Sequence, residues 1–503
     1  MNSSNAINIG RSANSFNKVN TVNNSSVTKV TLKSSEAATK TTLSKQNTIT
    51  EKNPAEKSAK SSVNMLEGSL FDKILLFAIP LALSSMIQQL FNTADTAVVG
   101  RFASSQDMAA VGANASVISL IVSLFIGLSV GANVAISRLI GLNKRKKIND
   151  AIGCIMLLAG ASGIVLLFVG ILLSNPILTA ISTPADVLPL AIKYLRIYSV
   201  GMPFIMLYNF GSAILRSKGD SKTPLYSLIV AGVVNVVLNL LFVITFKMGV
   251  AGVGYATVIS NIISSGLVVI TLVNGEDDFK LKLSCLKPQQ DVLSIVLKIG
   301  VPAGLQGVIF AIANTVIQSS INSFGSAAVA GSTASQNMEC MSFFWINAFN
   351  QAATTFISQN YSAKKPDRCR KIFIMCLLGG LVSCGIMNIL SLTFHDSIIA
   401  IFTRDPEVAK YALIRMSHVM IFQWMAASYE VSGSSLRGMG ISMLPTLLTV
   451  FGCVGFRVMW VLVIFPIFGT FTSLMMVYIA SWIITGTSVL TAYYLKARKL
   501  LTT

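Results

Sequence analysis

Charged residues are scarce in this chain. Lys, Arg, Asp and Glu make up 12% of its 503 residues, whereas 53% of the residues are hydrophobic. Ordinary soluble domains carry roughly 25% charged residues, and two soluble domains of this total length would not need so much apolar surface. The composition therefore predicts a protein that crosses the lipid bilayer many times.

Residue types that carry enzymatic and metal chemistry are also few. The chain has only two histidines, no HExxH motif and no acid pair at catalytic spacing. Its seven cysteines show neither metal-ligand nor redox spacing and are typical of small buried thiols. We therefore expect a protein that is not an enzyme, with no metal site and no bound cofactor.

The net charge of +19 raises the question of nucleic-acid binding. No RNP-like, zinc-finger or helix-turn-helix pattern accompanies the charge, so we expect no nucleic-acid partner. Lys and Arg instead concentrate in short loops on one side, where they set membrane topology. This placement predicts that both termini lie in the cytoplasm. The basic loops contain Arg138 with 144-KRKK-147, Arg216 with Lys218 and Lys222, Lys280 with Lys282, 364-KKPDRCRK-371, Arg437 and 496-KARK-499.

Residues 1–65 contain almost no aromatic side chains and are rich in Ser, Asn, Thr and Lys. Such a segment buries too little apolar surface to offset its ordering entropy, so we predict a disordered cytoplasmic tail. It has no apolar core followed by a cleavage site, and we do not interpret it as a secretory signal. Its nine basic residues against three acids favour contact with an anionic membrane surface.

Twelve apolar runs are long enough to span a bilayer as helices, which takes about 20 residues each. The sequence thus predicts an all-α polytopic membrane protein with twelve transmembrane helices. The runs lie near 71–100, 108–137, 148–173, 187–215, 224–247, 250–273, 293–322, 326–361, 371–394, 408–436, 445–467 and 470–495.

The chain repeats itself at an offset near 221 residues. The segment 214-ILRSKGDSKTP-224 realigns on 435-SLRGMGISMLP-445, and Pro80 with 92-NT-93 realigns on Pro302 with 314-NT-315. Each half then holds six spans, so we predict two six-helix bundles, at 66–285 and 286–503, that are parallel repeats. Transporters are often built this way, with the binding site between the halves.

Several segments together resemble the MATE multidrug and toxic compound extrusion family, in particular its bacterial branch with DinF-like and MepA-like proteins. The resemblance implies a V-shaped pair of bundles, alternating access, and export of organic cations driven by proton or sodium entry. It also implies a monomer in the cell membrane. The segments are 91-FNTADTAVVG-100, 136-ISRLIG-141, 214-ILRSKGDSKTP-224, 235-NVVLN-239, 250-VAGVGYAT-257 and 435-SLRGMG-440.

Asp95 lies in the first apolar run, in 90-LFNTADTAVVGR-101. A carboxylate within hydrocarbon costs several kcal/mol, and such residues usually face a cavity or an ion pathway. The position equivalent to Asp95 in the second half is Ile317, so the scaffold itself does not require an acid there. We interpret Asp95 as a protonatable coupling site; a hydrated residue near the outer interface, or a helix-kink cap, is the alternative.

Asn235 and Asn239 share one helical face, and Thr257 lies on the next span. In the resemblance, an asparagine, an aspartate and a threonine at these positions bond to the acid of the first helix. Here Asn239 stands where several relatives have Asp, which implies a single carboxylate in this half. The alternative is amide bonding between helices alone, worth about 1 kcal/mol.

Glu430 lies in the tenth run and is a second candidate for cation coupling, with an ion pair to Arg457 as the alternative. Glu339 begins the eighth run and is the candidate for contact with a cationic substrate. Adaptable apolar and aromatic side chains beside it suit such a role, although they could equally face lipid. The predicted substrate group is Glu339, Met338, Met341, Phe343, Trp345, Asn314 and Gln318.

Pro80 and Pro302 occupy matching places in the first span of each half, which predicts hinges, although membrane helices also tolerate proline without motion. The predicted function is proton-coupled, or sodium-coupled, antiport of organic cations. The alternative is a flippase of lipid-linked sugars or other lipids, which requires a cavity with several arginines. The sequence points chiefly to Arg457 against several acids, so it favours cationic substrates.

Overall fold

The computed structural model describes residues 63–181, 183–276 and 278–501, the side chain of Ser105 excepted. All of them belong to one compact unit, Lys57–Thr503. The tail predicted over residues 1–65 lies outside the described residues, apart from its last three.

The first repeat is helical almost throughout. Two helices, Leu188–Val200 and Met202–Lys218, bend by 47° at one break and together are long and apolar enough for one span. A π-helical turn, Leu241–Thr245, extends the helix Lys222–Leu240. The helices are α1 (Phe71–Phe102), α2 (Ser105–Gly141), α3 (Arg145–Leu172), α4 (Ser174–Ala180), α5 (Leu188–Val200), α6 (Met202–Lys218), α7 (Lys222–Leu240) and α8 (Val250–Val273).

The second repeat begins after a short 3₁₀ turn, Leu283–Cys285. Its helices are interrupted by π-helical segments at Met416–Met420, Val450–Gly455 and Trp460–Ile464. They are α9 (Gln290–Asn322), α10 (Ser326–Ser362), α11 (Pro366–Thr393), α12 (His395–Phe402), α13 (Pro406–Arg415), α14 (Ile421–Gln423), α15 (Ala426–Gly438), α16 (Met443–Thr449), α17 (Phe456–Met459), α18 (Phe465–Phe468) and α19 (Phe471–Leu500).

The predicted all-α architecture is confirmed, since each of the twelve predicted runs coincides with a helical segment. Within the described residues, nine segments are long and apolar enough to cross a bilayer, and the bent α5–α6 pair is a tenth. The two remaining segments are α10 and the composite α13–α15. Both carry polar and charged side chains in their middle, which lowers their mean hydropathy. Such side chains rarely face lipid, so the two segments are expected to face the bundle interior or a cavity.

The two repeats contact each other closely at one end, which we call the basic end (loops 142–144, 219–221 and 363–365). There α2 lies against α9 with almost no side chain between them. A Cβ atom on Gly127 would lie 2.1 Å from the backbone nitrogen of Gly304, and one on Gly131 would lie 2.3 Å from the Val296 carbonyl oxygen. Only glycine permits this backbone separation.

Hydrogen bonds join the repeats at the same end. Thr355 Oγ1 donates to Asn133 Oδ1 (3.1 Å), Ser358 Oγ donates to the Val134 carbonyl (3.2 Å), and Gln359 Nε2 donates to the Ser217 carbonyl (2.6 Å). These side chains are buried, so the bonds are shielded from water. The basic end is therefore closed in this conformation.

The segment that precedes α1 also bridges the repeats. The backbone N–H of Val63 donates to the Gly219 carbonyl (3.1 Å) in the first repeat. The Met65 carbonyl accepts from Asn360 Nδ2 (3.1 Å) and from Arg368 Nη2 (3.2 Å) in the second. The chain thus enters α1 across the closed end.

Pro80 and Pro302 both lie inside unbroken helices, α1 and α9. Each proline removes one backbone N–H from its helix. Ser84 Oγ donates to the Pro80 carbonyl (2.7 Å) beside this weakened turn. Their predicted role as hinges stays a prediction.

Candidate functional site

A cavity of about 670 Å³ lies between the two repeats, within the size range of small-molecule sites. Its walls come from α1, α2, α6 and α7 on one side and from α9, α10, α13–α15, α17 and α19 on the other. The two less apolar segments, α10 and α13–α15, both face this cavity, which accounts for their polar residues.

A buried ion pair in the cavity wall joins Glu339 of α10 to Arg415 of α13. Arg415 Nε donates to Glu339 Oε1 (2.7 Å) and Nη2 donates to Oε2 (2.8 Å), a bidentate geometry. Ser335 Oγ also donates to Oε1 (3.1 Å). Glu339 is 7% exposed and Arg415 is 2% exposed, so the pair is buried.

Neighbouring groups hold this ion pair in place. Arg415 Nη1 donates to Ser332 Oγ (2.6 Å), and the guanidinium lies 5.5 Å from the ring centroid of Tyr478. Gln423 Nε2 donates to the Glu339 carbonyl (2.8 Å). Glu339 lines the cavity as predicted for a substrate contact, but its charge is already balanced. Sequence reasoning missed Arg415, although an arginine inside the tenth run usually has a partner.

Glu430 of α15 also faces the cavity and has a neutral partner. Asn350 Nδ2 donates to Glu430 Oε2 (2.8 Å). Within the described chain Glu430 forms no ion pair, so the alternative pairing with Arg457 is not present. Arg457 instead donates from Nε to Ser481 Oγ (3.1 Å) and stacks 4.6 Å from the Tyr478 ring centroid.

The other predicted substrate residues divide into two sets. Phe343 and Asn314 line the cavity with Glu339. Met338, Met341, Trp345 and Gln318 do not: Met338 packs on an apolar cluster with Ile399 and Met420, and Gln318 Nε2 donates to Asn322 Oδ1 (3.0 Å). Trp345 packs on another apolar cluster.

Asp95 belongs to a polar cluster of the first repeat that does not line the cavity. Asn239 Nδ2 donates to the Asp95 carboxylate and to Asn235 Oδ1 (3.2 Å). The Thr257 side chain lies near enough to interact with the carboxylate, while its Oγ1 donates to the Val253 carbonyl (2.9 Å). The structure therefore brings together the four residues that the sequence placed in one group, because i and i+4 positions of α7 face α1.

The surroundings of Asp95 are electrically neutral. The phenols of Tyr194 and Tyr198 lie near enough to interact with its carboxylate, and their rings are 6.0 Å apart. No Lys, Arg or His in the described ranges forms an ion pair with Asp95. Those ranges also contain no group of three or more His, Cys, Asp or Glu side chains that could hold a metal ion.

A cavity between two helical repeats of a polytopic protein is typical of membrane transporters. A family model described as MatE matches the chain twice, over residues 80–241 and 302–463. The chain belongs to this family, the MATE transporters, and the two matched stretches begin at Pro80 and Pro302.

Similar proteins are known from bacteria. The chain is 25% identical over 398 residues to the probable multidrug resistance protein YoeA of Bacillus subtilis, covering 78% of this chain and 86% of YoeA. It is 20% identical over 428 residues to the multidrug export protein MepA of Staphylococcus saprophyticus, covering 82% and 94% of the two chains.

Two solved structures share the fold. One is an outward-facing multidrug resistance MATE family transporter of the MOP superfamily, with TM-score 0.80, 20% identity and coverage of 87% and 98%. The other is a MOP superfamily transporter from Pyrococcus furiosus, described as having a binding pocket of reversed polarity, with TM-score 0.78, 22% identity and coverage of 87% and 97%.

Proposed function

We propose that this protein is a secondary active exporter of amphipathic small molecules, organic cations among them, in the plasma membrane. The observation that carries the proposal is the cavity shared by both repeats and closed at the basic end. Its size and mixed aromatic and polar lining suit varied substrates. The relatives named as multidrug resistance or export proteins support the same function.

Transport by this protein requires the cavity to open alternately to each side of the membrane. By the positive-inside rule we assign the basic end to the cytoplasm, the side on which the sequence predicts both termini. The cavity is closed there by the contact of α2 with α9 and by the hydrogen bonds of Asn133, Val134 and Ser217. Uptake from the cytoplasm then needs these contacts to separate, and release requires them to form again.

Asp95 is the proposed proton carrier. Its partners are neutral amides, a hydroxyl and phenols, so gaining a proton breaks no ion pair. Protonation weakens the carboxylate as an acceptor for Asn239, which loosens α1 from α7. If the proton lowers the affinity for substrate, substrate must lower the affinity for the proton by the same factor. Sodium coupling through Glu430 is the alternative.

The cavity is more cationic than the sequence indicates. Four arginines line it, Arg216, Arg415, Arg437 and Arg457, where the sequence pointed chiefly to Arg457. This observation favours a second candidate function, flipping of a lipid that carries an anionic headgroup.

Ethidium export from energised inverted vesicles tests the proposal. We expect the wild type to export without sodium and Asp95→Asn to fail although it is folded and inserted. Asp72→Asn is the matched control, because it is an exposed acid at the start of the same helix. Normal export by Asp95→Asn would remove the proton assignment, and strict sodium dependence would transfer the coupling role to Glu430.

A wild type that never exports ethidium, while a labelled anionic lipid changes leaflet in proteoliposomes, would replace the drug exporter with the lipid flippase.

A further inference from the structure

We infer that the cavity contains an anion-binding subsite formed by Arg216, Arg437 and Arg457, so that the preferred substrates carry a carboxylate, sulfonate or phosphate group. This inference rests on the proposed function and specifies its substrate class. It follows from the balance of charge on the cavity wall and from hydrogen-bond donors that lack an acceptor.

Two carboxylates, Glu339 and Glu430, line the cavity together with the four guanidinium groups. The charge of Glu339 is balanced by its bidentate ion pair with Arg415. Three guanidinium groups then remain against the single carboxylate of Glu430, and none of the three forms an ion pair in the part of the chain that the structure describes. An excess of buried positive charge favours an anionic ligand because few waters compete for it.

Arg437 of α15 provides the clearest unused donor. It is 7% exposed, and its Nη2 donates to Gln306 Oε1 (2.5 Å). Its Nε is buried without any hydrogen-bond partner. That atom has almost no accessible surface, so a ligand oxygen has to bind elsewhere on the guanidinium. Buried guanidinium N–H groups normally find an acceptor, and Nη1 of Arg437, which forms no hydrogen bond to a described residue, is the donor that remains for a ligand in the cavity.

Arg457 of α17 also lines the cavity and provides a second donor. It is 4% exposed, and its Nε bond to Ser481 is the one hydrogen bond it makes to a described residue. The guanidinium lies over the ring of Tyr478 and 5.9 Å from the centroid of Phe310. Stacking on these rings fixes the plane of the guanidinium. Its two Nη groups form no hydrogen bond to a described residue and remain available for an oxyanion, which arginine can bind in a bidentate manner.

Arg216 is the counterpart of Arg437 in the first repeat, at the offset near 221 residues. It lies on α6 and interacts with the phenol of Tyr208, another cavity residue. An anion held by Arg216 and Arg437 therefore contacts both repeats. Aromatic side chains beside the arginines, Phe310, Phe343, Tyr478 and Trp482, complete a site for an anion attached to a ring system.

A pair of dyes that differ only in the acidic group tests the inference. Rhodamine 110 carries a free carboxylate, and rhodamine 123 is its methyl ester. Binding of each dye to the purified protein in nanodiscs is measured by fluorescence polarisation. We expect Arg437→Gln to weaken rhodamine 110 by roughly 10-fold, the loss of one charge-assisted hydrogen bond, and to leave rhodamine 123 unchanged or tighter.

Arg101→Gln is the matched control, because Arg101 is exposed at the end of α1 and its loss changes the net charge equally. If Arg437→Gln does not fold, Arg457→Gln serves in its place. Equal affinity of wild type and both variants for rhodamine 110 would overturn the anion subsite. That result together with intact ethidium export would leave the proposed function standing.

Competition identifies the source of the anionic group. Displacement of rhodamine 110 by benzenesulfonate but not by a short-chain phosphatidylglycerol indicates a free small molecule, and the reverse indicates a lipid headgroup. Displacement by neither compound contradicts the inference.

Discussion

Asp95 in the first repeat and Glu339 in the second are both acids within helices of a membrane protein, yet their surroundings differ. Asp95 accepts hydrogen bonds from neutral side chains, whereas Glu339 is held by Arg415 in a buried bidentate pair. A carboxylate with a neutral partner can change its charge without stranding a cation. A paired carboxylate cannot, because its protonation leaves a buried guanidinium without a counterion.

Matching positions in the two repeats differ at the acid but agree at an arginine. The position that matches Asp95 is Ile317, which is 1% exposed in an apolar cluster of the second repeat. Arg216 and Arg437, by contrast, match each other and both line the cavity. The acid is therefore specific to one half, whereas the pair of arginines belongs to both.

The largest effect is expected from breaking the buried ion pair. Arg415→Met leaves the Glu339 carboxylate without its cation and should destabilise the protein by about 3–5 kcal/mol. Thermal unfolding in detergent measures this loss. The double variant Glu339→Gln with Arg415→Met should recover much of the lost stability. Equal stability of the single and double variants would show that an unpaired Glu339 carboxylate does not destabilise the protein.

Asp95→Asn should act in the opposite way, on transport rather than on stability. The amide keeps a group of the same shape beside Asn239, so we expect stability to change by less than about 1 kcal/mol while proton-driven ethidium export is lost. Unfolding and export are measured on the same preparation. A strongly destabilised Asp95→Asn would place Asp95 with Glu339 as a structural acid.

The amides of the Asp95 cluster should show a graded effect. Asn239→Ala removes the donor to Asp95, and leaving this acceptor unmatched costs about 1–3 kcal/mol. Asn235→Ala removes only the bond to Asn239 and should cost less. Denaturation and export rate rank the two variants, and the reverse order would mean that Asn235 rather than Asn239 supports the carboxylate.

The smallest effect is expected at Asn350. Asn350→Ala removes the donor to Glu430, but both residues line the cavity, so water can replace the lost bond. We expect a stability change of less than about 1 kcal/mol and near-normal proton-driven export. Loss of export comparable to that of Asp95→Asn would move the coupling site to the second repeat.

Local spacing was enough to predict that the two asparagines of the Asp95 cluster share a helical face, and the family resemblance placed Asp95 and Thr257 beside them. Asn235 and Asn239 recur at i and i+4, which fixes them on one face of α7 whatever the rest of the fold does. The substrate group was predicted less well, because a run of adjacent residues on α10 points in several directions. Phe343 faces the cavity, while Trp345 and Met338 pack into apolar clusters.

The helical spans and the repeat could be predicted from the sequence, because a bilayer crossing takes about 20 apolar residues and duplication leaves matching motifs. Which charged side chains contact each other could be read only from the packed structure. Glu339 and Arg415 are 76 residues apart along the chain, and the four cavity arginines come from both repeats. Pairing and cavity polarity depend on helix packing and on the rotation of each helix, which no local pattern specifies.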